Sequence, residues 1–164
     1  MKLDIHDFYD DTIAKQIEPL VYAIEMRDAY TQGHSRRVAQ YALYLARWMG
    51  LDEVFVRNIY IVGMLHDLGK IGVPDNILLK PSLLTQTEFE LIKLHSILSE
   101  KIIKKIELFD DLLSAVRHHH ENFDGTGYPD GLDGENIPLM SRIISVVVYR
   151  EYFISTSCFY VCYS

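Results

Sequence analysis

From residue 33 to residue 66 the sequence reads GHSRRVAQYALYLARWMGLDEVFVRNIYIVGMLH, and its apolar residues recur at the spacing of an α-helix. The first run consists of Val38, Ala42, Leu45 and Met49. The second run, Phe55, Ile59 and Val62, follows Asp52, a residue type favoured at helix N-caps. The stretch therefore predicts two consecutive amphipathic helices.

Further helices are predicted on both sides of this stretch. Thr85 and Glu88 have the spacing of a capping box, and the helix that they open would bury Leu91, Leu94, Leu98 and Ile102. Another would contain Leu112, Leu113 and Val116, and an N-terminal one Ile13, Ile17, Val21 and Ile24, with Pro19 either kinking it or marking its start. Residues 69–84 contain two prolines and read as a connector. We predict an all-α helical bundle.

Composition restricts the class of protein. The chain has 164 residues, enough for one domain, and a formal net charge of −7, which disfavours DNA as a partner. We expect no membrane span, and the acidic start, which lacks the features of a signal peptide, predicts a cytoplasmic location. Both cysteines, Cys158 and Cys162, lie near the end, so a metal site in the main body would consist of histidines and carboxylates.

The last residues differ from the rest in composition. From Val146 the chain reads VVVYREYFISTSCFYVCYS, which is rich in β-branched and aromatic residues and predicts a strand or an aggregation-prone segment. We therefore predict an N-terminal linker or helix over residues 1–17, the main domain over 18–145 and an atypical tail over 146–164. The apolar tail also predicts association into homo-oligomers.

Five histidines fall on the inner faces of the predicted helices: His34, His66, His95, His119 and His120. His118 points outward, on the side of Ser114. One inward histidine is more often a core residue with a hydrogen-bond partner than a ligand. Five on four separate helices would satisfy one another poorly, whereas a metal ion accepts their lone pairs, so the set predicts a buried metal site.

The stretch MLHDLGKIG, residues 64–72, adds a carboxylate and a cation. Asp67 directly follows His66, and Lys70 lies three residues further on, where its ammonium can reach the same face. A carboxylate can bridge two cations, and a lysine beside them can neutralise a phosphoryl oxygen. The alternative is structural, with Lys70 as a solvated residue at a helix C-terminus and Gly69 as a C-cap.

Together with HHENFDGTGYPDGLDGENIP, residues 119–138, this stretch resembles the HD-GYP branch of the HD phosphohydrolases. The resemblance extends from about Ala23 to Arg142. It implies an all-α domain whose binuclear, sometimes trinuclear, iron or manganese centre hydrolyses cyclic di-GMP in bacterial second-messenger signalling. The implied metal ligands are His34, His66, Asp67, His95, His119 and His120. Asp67 would bridge the metals, and Lys70 would contact the substrate phosphate.

The sequence departs from the family pattern at two positions. Members with a third metal have a glutamate where this chain has Tyr30, so we expect two divalent ions, iron or manganese, although the ligands also suit zinc or nickel. An aspartate that completes the metal shell in the family is replaced by Val148. We therefore expect weaker retention of one metal and reduced turnover, and our hypothesis is a frame shift or truncation near Val146.

Three functions are compatible with these residues. The first is a phosphodiesterase in which a hydroxide bridging the two metals attacks phosphorus and Lys70 stabilises the developing charge. The second is a weak or inactive signalling module that binds a nucleotide or a protein through the loop 124–134, where Gly127, Tyr128 and Pro129 would form the contact surface. The third is a folded domain without activity. The glycines of the loop also fit a tight turn with no binding role.

Overall fold

A computed structural model of the chain describes residues 5–7, 11–27 and 32–154. The α-helices are α1 (Asp11–Arg27), α2 (His34–Trp48), α3 (Glu53–Leu65), α4 (Asp75–Leu78), α5 (Gln86–Ile103), α6 (Leu113–Arg117) and α7 (Leu139–Ile154). Short 3-10 helices cover Ile5–Asp7, Leu68–Gly72, Glu107–Leu112 and Gly134–Asn136. Within these ranges β structure is limited to isolated β-bridges, and no described helix is long and apolar enough to cross a membrane. The predicted all-α bundle is confirmed.

The helices α2 and α3 form the centre of the bundle. Asp52 caps α3 as predicted, since its carboxylate accepts a hydrogen bond from the Phe55 amide at 2.9 Å. The two helices approach closely at Gly63, where a Cβ atom would lie 2.6 Å from the Cα atom of Ala39. The start of α2 and the end of α3 are neighbours, because the rings of His34 and His66 lie 5.5 Å apart.

The N-terminal helix begins well before its proline. Helix α1 starts at Asp11, so Pro19 lies within the helix and does not mark its start. Ile17, Val21 and Ile24 are buried, as their spacing predicts. The helix contacts the 3-10 segment Leu68–Gly72, which follows the His66-Asp67 pair.

Helix α5 begins with the predicted capping box between Thr85 and Glu88, but its predicted buried face is wrong in part. Leu91 and Leu94 are exposed, and the buried residues of the helix are His95, Ser96, Ser99 and Ile103. The reason is the close approach of the 3-10 segment, because a Cβ atom on Gly69 would lie 1.9 Å from the carbonyl oxygen of His95. Small hydroxyl side chains permit this contact, whereas leucines would not.

The atypical end of the chain is helical as far as it is described. Helix α7 extends to Ile154, so the predicted strand is wrong for residues 146–154. Ile143, Ile144, Val147 and Val148 form one buried stripe at helical spacing. Burial of this stripe against the other helices outweighs the preference of β-branched residues for strands. Residues 155–164, with both cysteines, lie outside the described part of the chain.

Candidate metal centre

The inward histidines converge on Asp67 from four parts of the fold. His34 is the first residue of α2, His66 follows α3, and His95 lies in the middle of α5. The other two, His119 and His120, follow α6, which ends at Arg117. Helical periodicity predicts that both residues point inward, although the helix ends before them; His119 is buried and His120 is half-buried.

The donor atoms form two groups that share Asp67. One group consists of Asp67, His95, His119 and His120, and the other of His34, His66 and Asp67. In each group the potential ligand atoms lie within 4.8 Å of one another. The Nε2 atoms of His66 and His95 lie 3.5 and 3.4 Å from different oxygens of the Asp67 carboxylate. A carboxylate placed between two histidine groups can bridge two cations.

Backbone carbonyls orient the histidine rings. The Nδ1–H group donates to the carbonyl oxygen three residues earlier, at 2.8 Å for His66, 2.7 Å for His95 and 2.5 Å for His119. This bond selects the tautomer whose Nε2 carries the lone pair, which is the arrangement common in metal-binding histidines. The Nε2 atom of His66 is buried and makes no hydrogen bond within the described residues, which fits a metal ligand.

The electrostatics keep the histidines neutral and Asp67 ionised. Burial lowers the pKa of His34 to about 3 and that of His95 to about 4. It also lowers the pKa values of His66, His119 and His120. Burial alone would raise the pKa of the Asp67 carboxyl, but the Lys70 ammonium holds it well below its usual range. Neutral imidazoles and an ionised carboxylate are the forms that bind metals.

Lys70 belongs to the same cluster. It is buried, and its Nζ atom lies 2.8 Å from Oδ2 of Asp67. The structural alternative of a solvated lysine is therefore wrong. Gly69 is also not a helix C-cap, because it lies inside the 3-10 helix Leu68–Gly72 and the C-cap of α3 is His66. The Gly69 amide donates to the Ser99 hydroxyl at 2.7 Å, and that hydroxyl donates to the carbonyl oxygen of His66 at 2.7 Å.

Ser99 was missed by the sequence analysis. Its hydroxyl joins the His66-Asp67 turn to the helix that carries His95, so it fixes the two donor groups relative to each other. A signal was present, because Ser99 lies four residues after His95 and therefore on the same helix face. Apolar periodicity does not identify such a serine, because serine is polar and is not counted in the pattern.

The glycine-rich loop packs against the cluster. The ring of Tyr128 stacks on the ring of His120, with centroids 4.7 Å apart and an interplanar angle of 21°. Gly127 is required by close approach, since a Cβ atom there would lie 2.2 Å from the Asn122 nitrogen. Buried Glu121, also missed by the sequence analysis, accepts hydrogen bonds from the amides of Asp130 and Leu132. The loop therefore lines one side of the candidate ligand cluster.

Of the two departures from the family pattern, the structure describes the one at Val148 and not the one at Tyr30. Val148 lies on α7 and is buried in the apolar core, and Asp67 is the one carboxylate in the two donor groups that contain the inward histidines. Tyr30 lies outside the described residues.

The family model for the HD domain matches residues 20–157. A cyclic di-GMP phosphodiesterase of Thermotoga maritima is 41% identical over 140 residues, which cover 84% of this chain and 38% of that protein. A cyclic di-GMP phosphodiesterase response regulator of Xanthomonas campestris is 42% identical over 130 residues, 77% of this chain and 34% of the regulator. A 3'3'-cGAMP-specific phosphodiesterase of Vibrio cholerae is 38% identical over 146 residues, 87% of this chain and 30% of that enzyme.

The chain spans about a third of the length of these relatives. The resemblance to HD-GYP phosphodiesterases, which rests on HDLGK and the glycine-rich loop, is confirmed by these names and by the family match. The described residues also supply the candidate ligands that a metal-dependent phosphohydrolase of this kind needs. This chain belongs to the HD domain family.

Proposed function

We propose that this chain is a metal-dependent phosphodiesterase that hydrolyses cyclic di-GMP. The observation that carries the proposal is the sharing of one ionised carboxylate, Asp67, by two histidine groups. The names of the relatives support a cyclic dinucleotide as the substrate, although they include both cyclic di-GMP and 3'3'-cGAMP phosphodiesterases. Both compounds are therefore candidate substrates.

In this proposal two divalent ions occupy the two donor groups. His34 and His66 would hold one ion, His95, His119 and His120 the other, and Asp67 would contact both. Iron or manganese fits this set of nitrogen and oxygen donors, as zinc and nickel also would. When bound, the ions supply Lewis acidity and lower the pKa of water, so that hydroxide is available at neutral pH. The bridging position of that hydroxide stays a prediction.

The residues of the chain bind and orient the reacting groups. Carbonyl hydrogen bonds on Nδ1 hold the rings of His66, His95 and His119 in place, which limits the reorganisation needed to bind metal. Lys70 places a cation beside Asp67, where it can stabilise the charge that builds on a phosphoryl oxygen. Tyr128 covers one face of His120 and restricts the position of that ring.

A second candidate function follows from Val148. A buried valine cannot ligate a metal, and the described donor groups contain no carboxylate from α7. The chain could therefore bind a cyclic dinucleotide without hydrolysing it rapidly, as a signalling module. The loop containing Gly127, Tyr128 and Pro129 would then contribute a contact surface.

Metal analysis and a hydrolysis assay distinguish the two functions. The protein is purified without oxygen, its iron, manganese and zinc content is measured, and turnover of cyclic di-GMP and 3'3'-cGAMP is followed by chromatography. The phosphodiesterase proposal expects bound metal and linear or mononucleotide products that the Asp67→Asn variant does not form. Tight binding of a dinucleotide by the metal-loaded protein with no product would favour the signalling module and contradict the first proposal.

A further inference from the structure

The guanidinium of Arg27, the last residue of α1, binds the backbone of the segment that contains Lys70. Its Nη1 donates to the carbonyl oxygens of Lys70 at 3.0 Å and Ile71 at 2.5 Å. Its Nη2 donates to the carbonyl oxygen of Val73, and its Nε donates to Oδ1 of Asp75 at 2.8 Å. One side chain thus contacts four residues of the stretch that follows Asp67.

These carbonyl groups have acceptor sites for a donor from outside the segment. They lie in and just after the 3-10 helix Leu68–Gly72, where the last carbonyls of a helix carry a partial negative charge. The Lys70 oxygen accepts the Val73 amide at 3.0 Å and has a second lone pair for the guanidinium. A guanidinium suits them because its planar fork offers several donors in fixed directions and remains charged. A lysine ammonium is a single point charge and cannot reach the same set of acceptors at once.

We propose that Arg27 is a positioning residue for the candidate metal centre. By binding the carbonyl of Lys70 and those that follow, it fixes the backbone from which the Lys70 side chain extends, and so keeps the ammonium 2.8 Å from Asp67. The proposal rests on the proposed function in one respect, namely that the Lys70 ammonium stabilises charge on the substrate phosphate. Arg27 itself contacts neither the histidines nor Asp67 in any hydrogen bond of the described residues.

The alternative is a structural tie between α1 and α4. In that case the loss of Arg27 would lower stability, and its effect on turnover would not depend on Lys70. The two roles are separated by measuring Arg27 and Lys70 variants singly and together, since residues that act as one unit have non-additive effects.

The informative variant is Arg27→Lys, which keeps the charge and removes the fork. We expect kcat for the cyclic dinucleotide to fall about tenfold with little change in KM and in metal content, because a small displacement of a charged group is costly in the transition state. Lys70→Ala should lower kcat further, and Arg27→Lys should have no added effect in the Lys70→Ala background. An equal fold loss in both backgrounds would overturn the proposal.

Two control variants keep the result specific. Arg47→Lys changes an arginine that pairs with Glu53 at 2.9 Å near the far end of α2, and it should leave kcat unchanged. Asp75→Ala removes the outermost contact of Arg27 and keeps the carbonyl contacts, so its loss of kcat should be smaller than that of Arg27→Lys.

Hydrogen exchange tests the contact between Arg27 and the backbone of the Lys70 segment independently of enzymatic turnover. In Arg27→Lys the amide of Val73, which donates to the carbonyl of Lys70 at 3.0 Å, should exchange faster than in the wild type, and in Arg47→Lys it should not. Unchanged exchange would show that Arg27 does not hold this backbone. A metal-loaded wild type that hydrolyses no cyclic dinucleotide would refute the proposed function, whereas the exchange result would still decide whether Arg27 fixes the Lys70 segment.

Discussion

Two clusters of histidines and carboxylates lie side by side in this fold, and only one resembles a metal centre. The inner cluster surrounds Asp67. The outer cluster consists of His118, Glu121 and Asp130, whose potential ligand atoms also lie within 4.8 Å of one another. The adjacent residues His118 and His119 belong to different clusters.

The clusters differ in what already occupies their donor atoms. In the outer cluster Arg117 binds both oxygens of Asp130, at 2.7 and 2.8 Å, and Glu121 accepts two backbone amides. The pKa of the Asp130 carboxyl is lowered mainly by the hydrogen bonds from Arg117. The carboxylates of the outer cluster are already bound by a guanidinium and by backbone amides, so the role of this cluster is to hold the loop. In the inner cluster the Nε2 atoms of neutral histidines surround one carboxylate, and a metal ion would complete the arrangement.

The largest predicted effect is the loss of the inner carboxylate, compared with the loss of a carboxylate in the outer cluster. Asp67→Asn removes the charge common to both inner donor groups, so bound metal and hydrolysis should fall by more than the ~10–100-fold typical of losing an outer partner of a ligand. Metal analysis and the hydrolysis assay measure this. Asp130→Asn is the matched control, and a similar loss of metal in that variant would contradict the distinction.

Adjacent histidines give the next comparison. His119→Asn should lower metal content and turnover, because the His119 ring lies in the inner cluster with its Nε2 3.2 Å from that of His95. His118→Asn should retain both, because His118 contacts Ser114 and Asp130. Equal losses in the two variants would mean that the loop and not the cluster determines metal binding.

Acid should destabilise the metal-free protein. Burial holds the pKa of His34 at about 3 and that of His95 at about 4, below the 6.5 expected after unfolding. Between pH 6.5 and 4 the unfolded chain therefore binds more protons, and the free energy of unfolding should fall by about 1.4 kcal/mol per proton and pH unit. Urea titrations at several pH values test this. His95→Asn should show a shallower pH dependence, and an equally steep one would contradict this origin.

A carboxylate at position 148 would test whether α7 can contribute a ligand to the inner cluster. In the metal-free state Val148→Asp should lose about 3–5 kcal/mol of unfolding free energy, because it places an unpaired charge among buried apolar residues. If position 148 faces the donor groups, metal should restore stability and raise metal content and turnover. Val148→Asn is the control that lacks the charge. A Val148→Asp variant that metal neither stabilises nor activates would refute the expected ligand role of this position.

The smallest predicted effect concerns the outer cluster. Arg117→Ala removes the contacts with Asp130 and Glu100, which are partly exposed, and should lower the free energy of unfolding by about 1 kcal/mol. Metal stoichiometry should not change, because Glu121 still accepts backbone amides. A gain of one bound ion in calorimetric zinc titrations would show that Arg117 alone keeps the outer cluster from binding metal.

Much of the site could be predicted because helical periodicity reports which side of a helix is buried. This placed His34, His66 and His95 in the interior and His118 beside Ser114. The same reasoning failed for Leu91 and Leu94, since it cannot anticipate that a glycine-containing segment packs against the serine face of α5. Composition, a separate signal, predicts a strand or an aggregation-prone segment after Val146; the strand is wrong for residues 146–154 because β propensity is local, whereas the burial of α7 depends on its neighbours.

The helical class, the caps at Asp52 and Thr85, and the residue types that resemble an HD-GYP site follow from local sequence patterns, because periodicity, capping and motifs depend on residues close in the chain. The packing of the helices shows which histidines share Asp67, that Lys70 is buried beside it, and that Ser99 and Arg27 hold the turn that contains Asp67 and Lys70. These relations join residues more than 25 positions apart in most cases, and their distances depend on how the helices pack rather than on any local pattern.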